Sequence, residues 1–239
     1  MPAPQANLPV KMIRASLDGL PEFVLPDGFS LRWFLPGDEA HWRRIHLAAE
    51  RLIEITPELF GKQFGVREGR GLQSASAREH PGGMNFALRD LRERQCYLLE
   101  PRGEIVGTGT AWFDDDFEGV RWGRVHWLAI LPGFQGRGLG RGLMTAICRR
   151  LRELGHKRAY LHTSTTRIPA IKLYLRFGFE PEFRNPKEEA AWRKVLRQCR
   201  IIGARGTSAK TRSLRTAASS APPSIAPRFR RGQERDKWA

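Results

Sequence analysis

From Val125 to Met144 the chain reads VHWLAILPGFQGRGLGRGLM, an apolar strand that enters a glycine-dense turn and leaves it directly into an amphipathic helix. Five glycines fall between Gly133 and Gly142, with no lysine or aspartate among them. A turn of this kind lets several backbone N–H groups point into one concavity at a helix N-terminus, where the helix dipole already favours an anion. Glycine serves here because a Cβ would block close approach and because such turns use positive φ. The guest such a turn suits is a phosphate or pyrophosphate.

What the loop lacks narrows the ligand. A Walker A loop needs a lysine and a hydroxyl after its last glycine, and here Gly138 is followed by Leu139 and Gly140. A dinucleotide fingerprint needs GxGxxG with an acid about 20 residues on, and neither the spacing nor the region from Tyr160 to Ser164 supplies it. What remains is Gln135-Gly-Arg-Gly-Leu-Gly140, the pattern [QR]xxGx[GA]. On these residues the chain resembles the GNAT superfamily of N-acetyltransferases. A second segment, Thr165 to Pro181, resembles that superfamily's C-terminal signature, a short helix ending in Tyr-x-x-x-Gly-Phe, here Tyr174 to Phe179. Pro169 suits the first helical turn and Gly178 the left-handed cap that stops the helix. The two motifs stand in the family's order, about 40 residues apart, and the resemblance covers roughly residues 28 to 185.

The resemblance implies an α/β fold, a GNAT-type mixed central β-sheet flanked by helices. It implies acetyl-CoA as co-substrate, no metal, and direct attack of an amine on the thioester in one complex. Leu128, Ala129 and Ile130 would offer backbone groups to the pantetheine arm. Gln135, Gly136, Arg137, Gly138, Leu139, Gly140 and Arg141 would hold the pyrophosphate. Tyr174 aligns with the tyrosine proposed as general acid, and a phenol of pKa about 10 stays protonated at neutral pH. Two departures stand out: the family's asparagine seven residues before this tyrosine is Arg167, and its occasional fourth-strand glutamate is Arg124. With the glutamate gone, the base is either His126, two residues on and on the same face, or a water relay. The acceptor is a small-molecule or peptide amine, set by the loops around Gly65–Gly83 and Asp114–Gly119. Asp114, Asp115 and Asp116 read as acids of a hairpin turn, either solvated or attracting a cationic amine.

The rest of the chain divides accordingly. Residues 1–27 form an N-terminal extension, with no element expected in residues 1–11 and Met12 an alternative start; residues 28–199 form the acetyltransferase domain. Strands are expected over 29–35, 96–100, 105–113, 121–130 and 158–162. A helix capped by Asp38 runs to about Leu52 with Trp42, Ile45, His46 and Ala49 inward, and shorter helices cover 57–64 and part of 82–94. The helix from about Gly138 to Leu154 turns Leu139, Leu143, Ala146, Ile147 and Leu154 inward. Residues 186–197 read as a helix where the family usually supplies a strand, which leaves the last strand short or missing.

Charge is concentrated at the end. The net charge is +16, and Arg200 to Ala239 hold ten lysines and arginines against two acids, within a stretch rich in Ser, Ala, Gly and Pro. That composition buries too little apolar surface to offset ordering entropy, so residues 200–239 read as a disordered basic tail. The tail is either solvated or a nucleic-acid or acidic-partner contact. Three cysteines, Cys96, Cys148 and Cys199, are odd in number and widely spaced, so neither a disulfide framework nor a metal cluster is expected. No apolar run reaches membrane-spanning length, and a cytoplasmic enzyme without a membrane partner is expected. A longer acyl donor on the same scaffold is a second enzymatic reading. A non-catalytic acyl-CoA-binding or regulatory module, its tail on nucleic acid or an acidic partner, is the alternative from another class.

Overall fold

A computed structural model describes residues 7–65, 86–117, 119–183 and 186–203. The segment 66–85, most of the expected acceptor loop, lies outside the described residues, as does the basic segment beyond Gly203. In chain order the elements are β1 (Pro9–Arg14), β2 (Ser30–Trp33), α1 (Glu39–Ala49), α2 (Leu59–Phe64), α3 (Phe86–Arg94), β3 (Gln95–Leu99), β4 (Ile105–Phe117), β5 (Val120–Ile130), α4 (Leu139–Glu153), β6 (Ala159–Ser164), α5 (Ile168–Arg176), β7 (Glu180–Glu182) and α6 (Pro186–Gly203). A single 3₁₀ turn, Pro132–Phe134, joins β5 to the loop before α4.

The seven strands form one mixed sheet in the order β2-β3-β4-β5-β6-β1-β7. All pairs are antiparallel except β5 with β6. Side-chain alternation sends Ala111, Val125, Ala159 and Leu161 into the core under α4, with Leu143, Met144, Ile147, Cys148 and Leu151 of that helix. On the opposite face α1 and α2 bury Trp42, Ile45, Leu59, Phe60 and Phe64 beside Trp112 and Trp127. Leu154 and Ala146 are only half-buried; Met144, Cys148 and Leu151 take the inward positions instead. Among the described residues, no helix is long and apolar enough to cross a membrane.

Three expectations are corrected. The first residues do form an element: Pro9–Arg14 alternates Val10 and Met12 into the core and is inserted between β6 and β7, with Lys11 opposite His162 on one side and Glu182 on the other. Among the described residues, the element after the short β7 is the helix α6 rather than a further strand, and β1 fills the place beside β7 instead. Second, Asp114 to Asp116 continue β4 rather than turn it; the strand runs to Phe117, and Gly119 (φ 76°) makes the reversal. Third, Asp38 stands at the N-cap position of α1 without capping it. Its carboxylate instead takes both arms of Arg32 (2.6 and 2.7 Å) and the Leu35 N–H at 2.6 Å. That bidentate bond holds the Arg32 guanidinium above its ordinary pKa.

Candidate active site

The site begins where two strands part. β5 and β6 are paired at Gly123–Ala159 and Arg124–Tyr160 and at no later position, so from Val125 to Ile130 the edge of β5 toward β6 is unpaired. Leu128 and Ala129 lie half-buried along that edge, with Ile130 buried at its end; Ala129 and Ile130 keep their pairing to β4 on the other side. Unpaired strand-edge groups are donors and acceptors waiting for an extended partner.

The glycine turn lies at the open end of this gap. Gly136 (φ 77°) and Gly138 (φ 83°) both take left-handed backbone, and Gly138 is the N-cap of α4. The first N–H groups of a helix have no intrahelical acceptor, so Leu139 and Gly140 present them toward the turn. Leu139 is itself a core residue, and a Cβ at Gly140 would meet Leu173 of α5 at 3.4 Å. Gln135 turns its side chain back, donating from Nε2 to the Ile130 carbonyl at 2.8 Å, which ties the loop to the end of β5. Arg137 lies over Phe134 (5.0 Å) and Arg141 over Phe23 (5.3 Å), so both guanidiniums rest on aromatic faces beside the turn.

On the far side of the gap, α5 is stopped at Gly178 (φ 72°). Phe179 N–H returns to the Tyr174 carbonyl (3.0 Å) and Gly178 N–H to that of Leu175 (3.0 Å), the two bonds of a Schellman cap. The Tyr174 and Phe179 rings supply its apolar contact at 6.4 Å. Arg14, at the end of β1, donates to the Phe177 carbonyl and occupies the space a Cβ on Gly178 would need. Tyr174 is thereby buried and fixed; burial pushes its phenol up to about 12, against the opposing pull of Arg167.

His126 faces the opposite layer. Its Nε2 stands 3.1 Å from Gln63 Oε1, the oxygen that also accepts the Trp127 indole N–H at 3.0 Å. An oxygen shared in this way makes Nε2 the protonated nitrogen and leaves Nδ1 with the lone pair. Burial first, then Arg124, His162 and His46, hold His126 well below the ordinary histidine range. Trp127 has φ 47° at a bulge where β5 slips against β4 between Thr108 and Thr110. Left-handed backbone at a bulky residue is strain, and it turns the edge of β5 at the middle of the gap.

Sequence reasoning named several neighbours but missed how they are packed and paired. His46 of α1 packs against Trp42 (4.4 Å) and Trp127 (4.9 Å), and burial lowers its pKa to about 3. It appeared in the sequence only as one more inward position of an apolar face. Arg167, which stands where the family has asparagine, reaches 2.6 Å to Glu50 at the C-cap of α1, linking α5 to α1. Arg124 lies beside Tyr160, whose hydroxyl donates to Asp114 at 3.1 Å. The buried thiols Cys96 and Cys148 are pushed up to about 12 by burial and stay protonated at neutral pH. Among the described residues, no three His, Cys, Asp or Glu side chains converge to hold a metal ion.

Comparison with known proteins agrees with this geometry. The family model described as the acetyltransferase (GNAT) family matches residues 60–179. A mycothiol acetyltransferase of Streptomyces bingchenggensis is 33% identical over 175 residues, covering 69% of this chain and 47% of the relative. One from Thermomonospora curvata is 30% identical over 169 residues, covering 67% and 47%. The chain thus spans about half the length of these curated relatives. The crystal structure of a GCN5-related N-acetyltransferase from Sphaerobacter thermophilus superposes with a TM-score of 0.50 at 19% identity, over 74% of this chain and 48% of that one, a likeness of fold.

Proposed function

The chain belongs to the GNAT acetyltransferase family, and on that premise we propose that it is a cytoplasmic enzyme moving an acetyl group from acetyl-CoA to a primary amine within a ternary complex. The observation that carries the reading is the gap between β5 and β6 opening beneath the glycine turn of α4. The turn fits a pyrophosphate, since Gly136 and Gly138 place no side chain in its way and the dipole of α4 favours its charge. The unpaired edge from Leu128 to Ile130 fits the amide-bearing pantetheine arm as a strand edge fits another strand.

Chemistry then needs an amine held against the thioester carbon, a proton path and a stabilised thiolate. The amine forms its C–N bond as the C–S bond breaks, and the ammonium proton must leave toward solvent. With Nε2 turned to Gln63, His126 keeps Nδ1 as an acceptor for the amine or a water, but a base so far depressed holds a proton poorly, which favours a water relay. Tyr174, raised to about 12, donates a hydrogen bond to the departing sulfur. A thiol of ordinary pKa about 8.5 is the stronger acid, so the phenol stabilises the thiolate without surrendering its proton for good.

The relatives are named for mycothiol acetylation, so mycothiol-related amines belong in the acceptor panel with amino acids, polyamines and peptides. The test combines CoA titration by calorimetry with release of free CoA thiol from acetyl-CoA across that panel. Micromolar CoA binding and amine-dependent thiol release are expected. A folded protein that does not bind CoA sinks the reading. One that binds CoA but transfers to no amine is instead an acyl-CoA-binding module.

A further inference from the structure

Two donors of β5 converge on one oxygen of α2. Gln63, next to last in that helix, presents Oε1 to the Trp127 indole N–H at 3.0 Å and to His126 Nε2 at 3.1 Å. An indole nitrogen only donates, so it fixes which end of the Gln63 amide faces the strand, and that end is the oxygen. The oxygen in turn requires the His126 proton on Nε2. Successive side chains of a strand ordinarily point to opposite faces. Here the register slip between Thr108 and Thr110, with Trp127 at φ 47°, is what lets both neighbours reach the same acceptor.

Acceptor and donors are each held by packing. Phe60 and Phe64 seat α2 against Trp42, with ring centres 5.3 and 6.0 Å away, and Gly65 (φ 71°) ends the helix with its N–H on the Gly61 carbonyl. The Phe64 ring also stands at a steep angle to the His126 ring, 5.7 Å between centres, so α2 bounds the imidazole as well as pairing with it. Trp127 is wedged between Trp42 (5.0 Å) and His46 (4.9 Å) of α1. A donor fixed on strained backbone and an acceptor fixed on a packed helix are what an orienting hydrogen bond needs.

We propose that Gln63 is a positioning residue for acetyl transfer: with its amide fixed by the Trp127 indole, it holds His126 in the Nε2–H tautomer and leaves Nδ1 as the acceptor in the proton path of the amine. Burial, with Arg124, His162 and His46 in its field, keeps the ring neutral, so the tautomer rather than the charge decides whether His126 offers a lone pair. Without Gln63 the proton is free to settle on either nitrogen, and the acceptor is lost in the molecules where it settles on Nδ1. The proposal rests on the acetyl-transfer reading above.

Two readouts test it, one of them independent of turnover. Side-chain NMR of isotope-labelled histidine nitrogens, with the His126 signals assigned by their loss in His126→Gln, is expected to show a single Nε2–H form in the wild type. Gln63→Met keeps the length and loses the acceptor, and a mixture of tautomers is expected there; Trp127→Phe, which frees the amide to flip, should give a mixture too. In steady-state transfer to the amine of the panel that the wild type uses, Gln63→Met should lower kcat about 3–10-fold, the range of one hydrogen bond, with KM for acetyl-CoA unchanged. Added to His126→Gln it should slow transfer no further, because both changes act through one ring. Gln63→Glu keeps an acceptor for both donors; it should hold the tautomer and move the acid limb of kcat to higher pH, since its charge favours the imidazolium. An Nδ1–H form in the wild type, an unchanged tautomer in a folded Gln63→Met, or additive losses in the double variant overturns the assignment. If Gln63→Met does not fold, the wild-type spectrum and Gln63→Glu decide it. Failure to bind CoA is the separate result that removes the acetyl-transfer reading, and the spectra still test the tautomer.

Discussion

At the scale of single residues, the local devices carry the chemistry and make it testable. Gly138→Asp adds a Cβ at φ 83° that displaces only the Arg141 guanidinium tip, 2.8 Å away, and sets a carboxylate beside the pyrophosphate position. Like charges about 4 Å apart at an effective dielectric of 20 repel by roughly 4 kcal/mol, so CoA affinity measured by calorimetry should fall more than about 100-fold in a chain that keeps its far-UV spectrum. Gly138→Ala, strained but uncharged, should lose much less. Tyr174→Phe keeps the ring against Phe179 and removes the donor; transfer in a single turnover should slow by about 10²–10³, with a stability loss near 0.5–1.5 kcal/mol. Parental transfer rates in that step would make Tyr174 a packing residue. His46 adds a pH signature. Its folded pKa of about 3 lies below the unfolded value of 6.5, so below pH 6.5 the unfolded chain takes up a proton that the native one refuses. Stability is therefore whole above 6.5 and declines toward 3, by about 2 kcal/mol at pH 5 from this group alone. Melting curves at pH 7.5 and 5 should show a shallower decline in His46→Gln; an identical decline would mean His46 is not held neutral.

At the scale of elements, the chain was legible wherever the signal is local. The glycine turn into α4, the Tyr174–Phe179 stop and the apolar faces of α1 and α4 are written within one or two turns of sequence, and turn and cap chemistry needs no distant partner to be read. Illegible were the parts made by residues far apart. β1 is a six-residue run with only Val10 and Met12 inward, too short to stand out, and its partners lie some 150 residues later. The pairings Arg167–Glu50 and Arg124–Tyr160 are invisible for the same reason, and the pairing of Arg32 took Asp38 away from the helix it precedes. The alternation of Val10, Lys11 and Met12 was the one available hint. A chain shortened to begin at Met12 loses three residues of β1, the buried Val10 and the Lys11–Glu182 pair. Burial of one valine is worth about 1.5–3 kcal/mol and each ladder bond about 0.5–1.5, so a loss beyond about 3 kcal/mol is expected by urea denaturation. An unchanged midpoint would show that β1 contributes nothing to the sheet.

At the scale of the whole molecule, charge and connectivity separate the sheet from the basic C-terminal segment. Residues 204–239 carry nine of the chain's lysines and arginines and few large apolar side chains, so removing them should leave CoA affinity and melting temperature nearly unchanged. Any nucleic-acid affinity of the full chain should disappear with them and should fall steeply with salt beforehand; affinity that survives the truncation would place the contact on the folded part. The opposite end of the chain has a temporal consequence. Of the seven strands of this sheet β1 is made before the others, yet both of its neighbours, β6 and β7, are made after all the rest. Until β6 is free of the exit tunnel the strand has no edge to join, so this part of the sheet closes late, after β2 to β5 have been made. Such long-range pairing slows folding, and it makes β1 a waiting edge open to a chaperone or to another nascent chain.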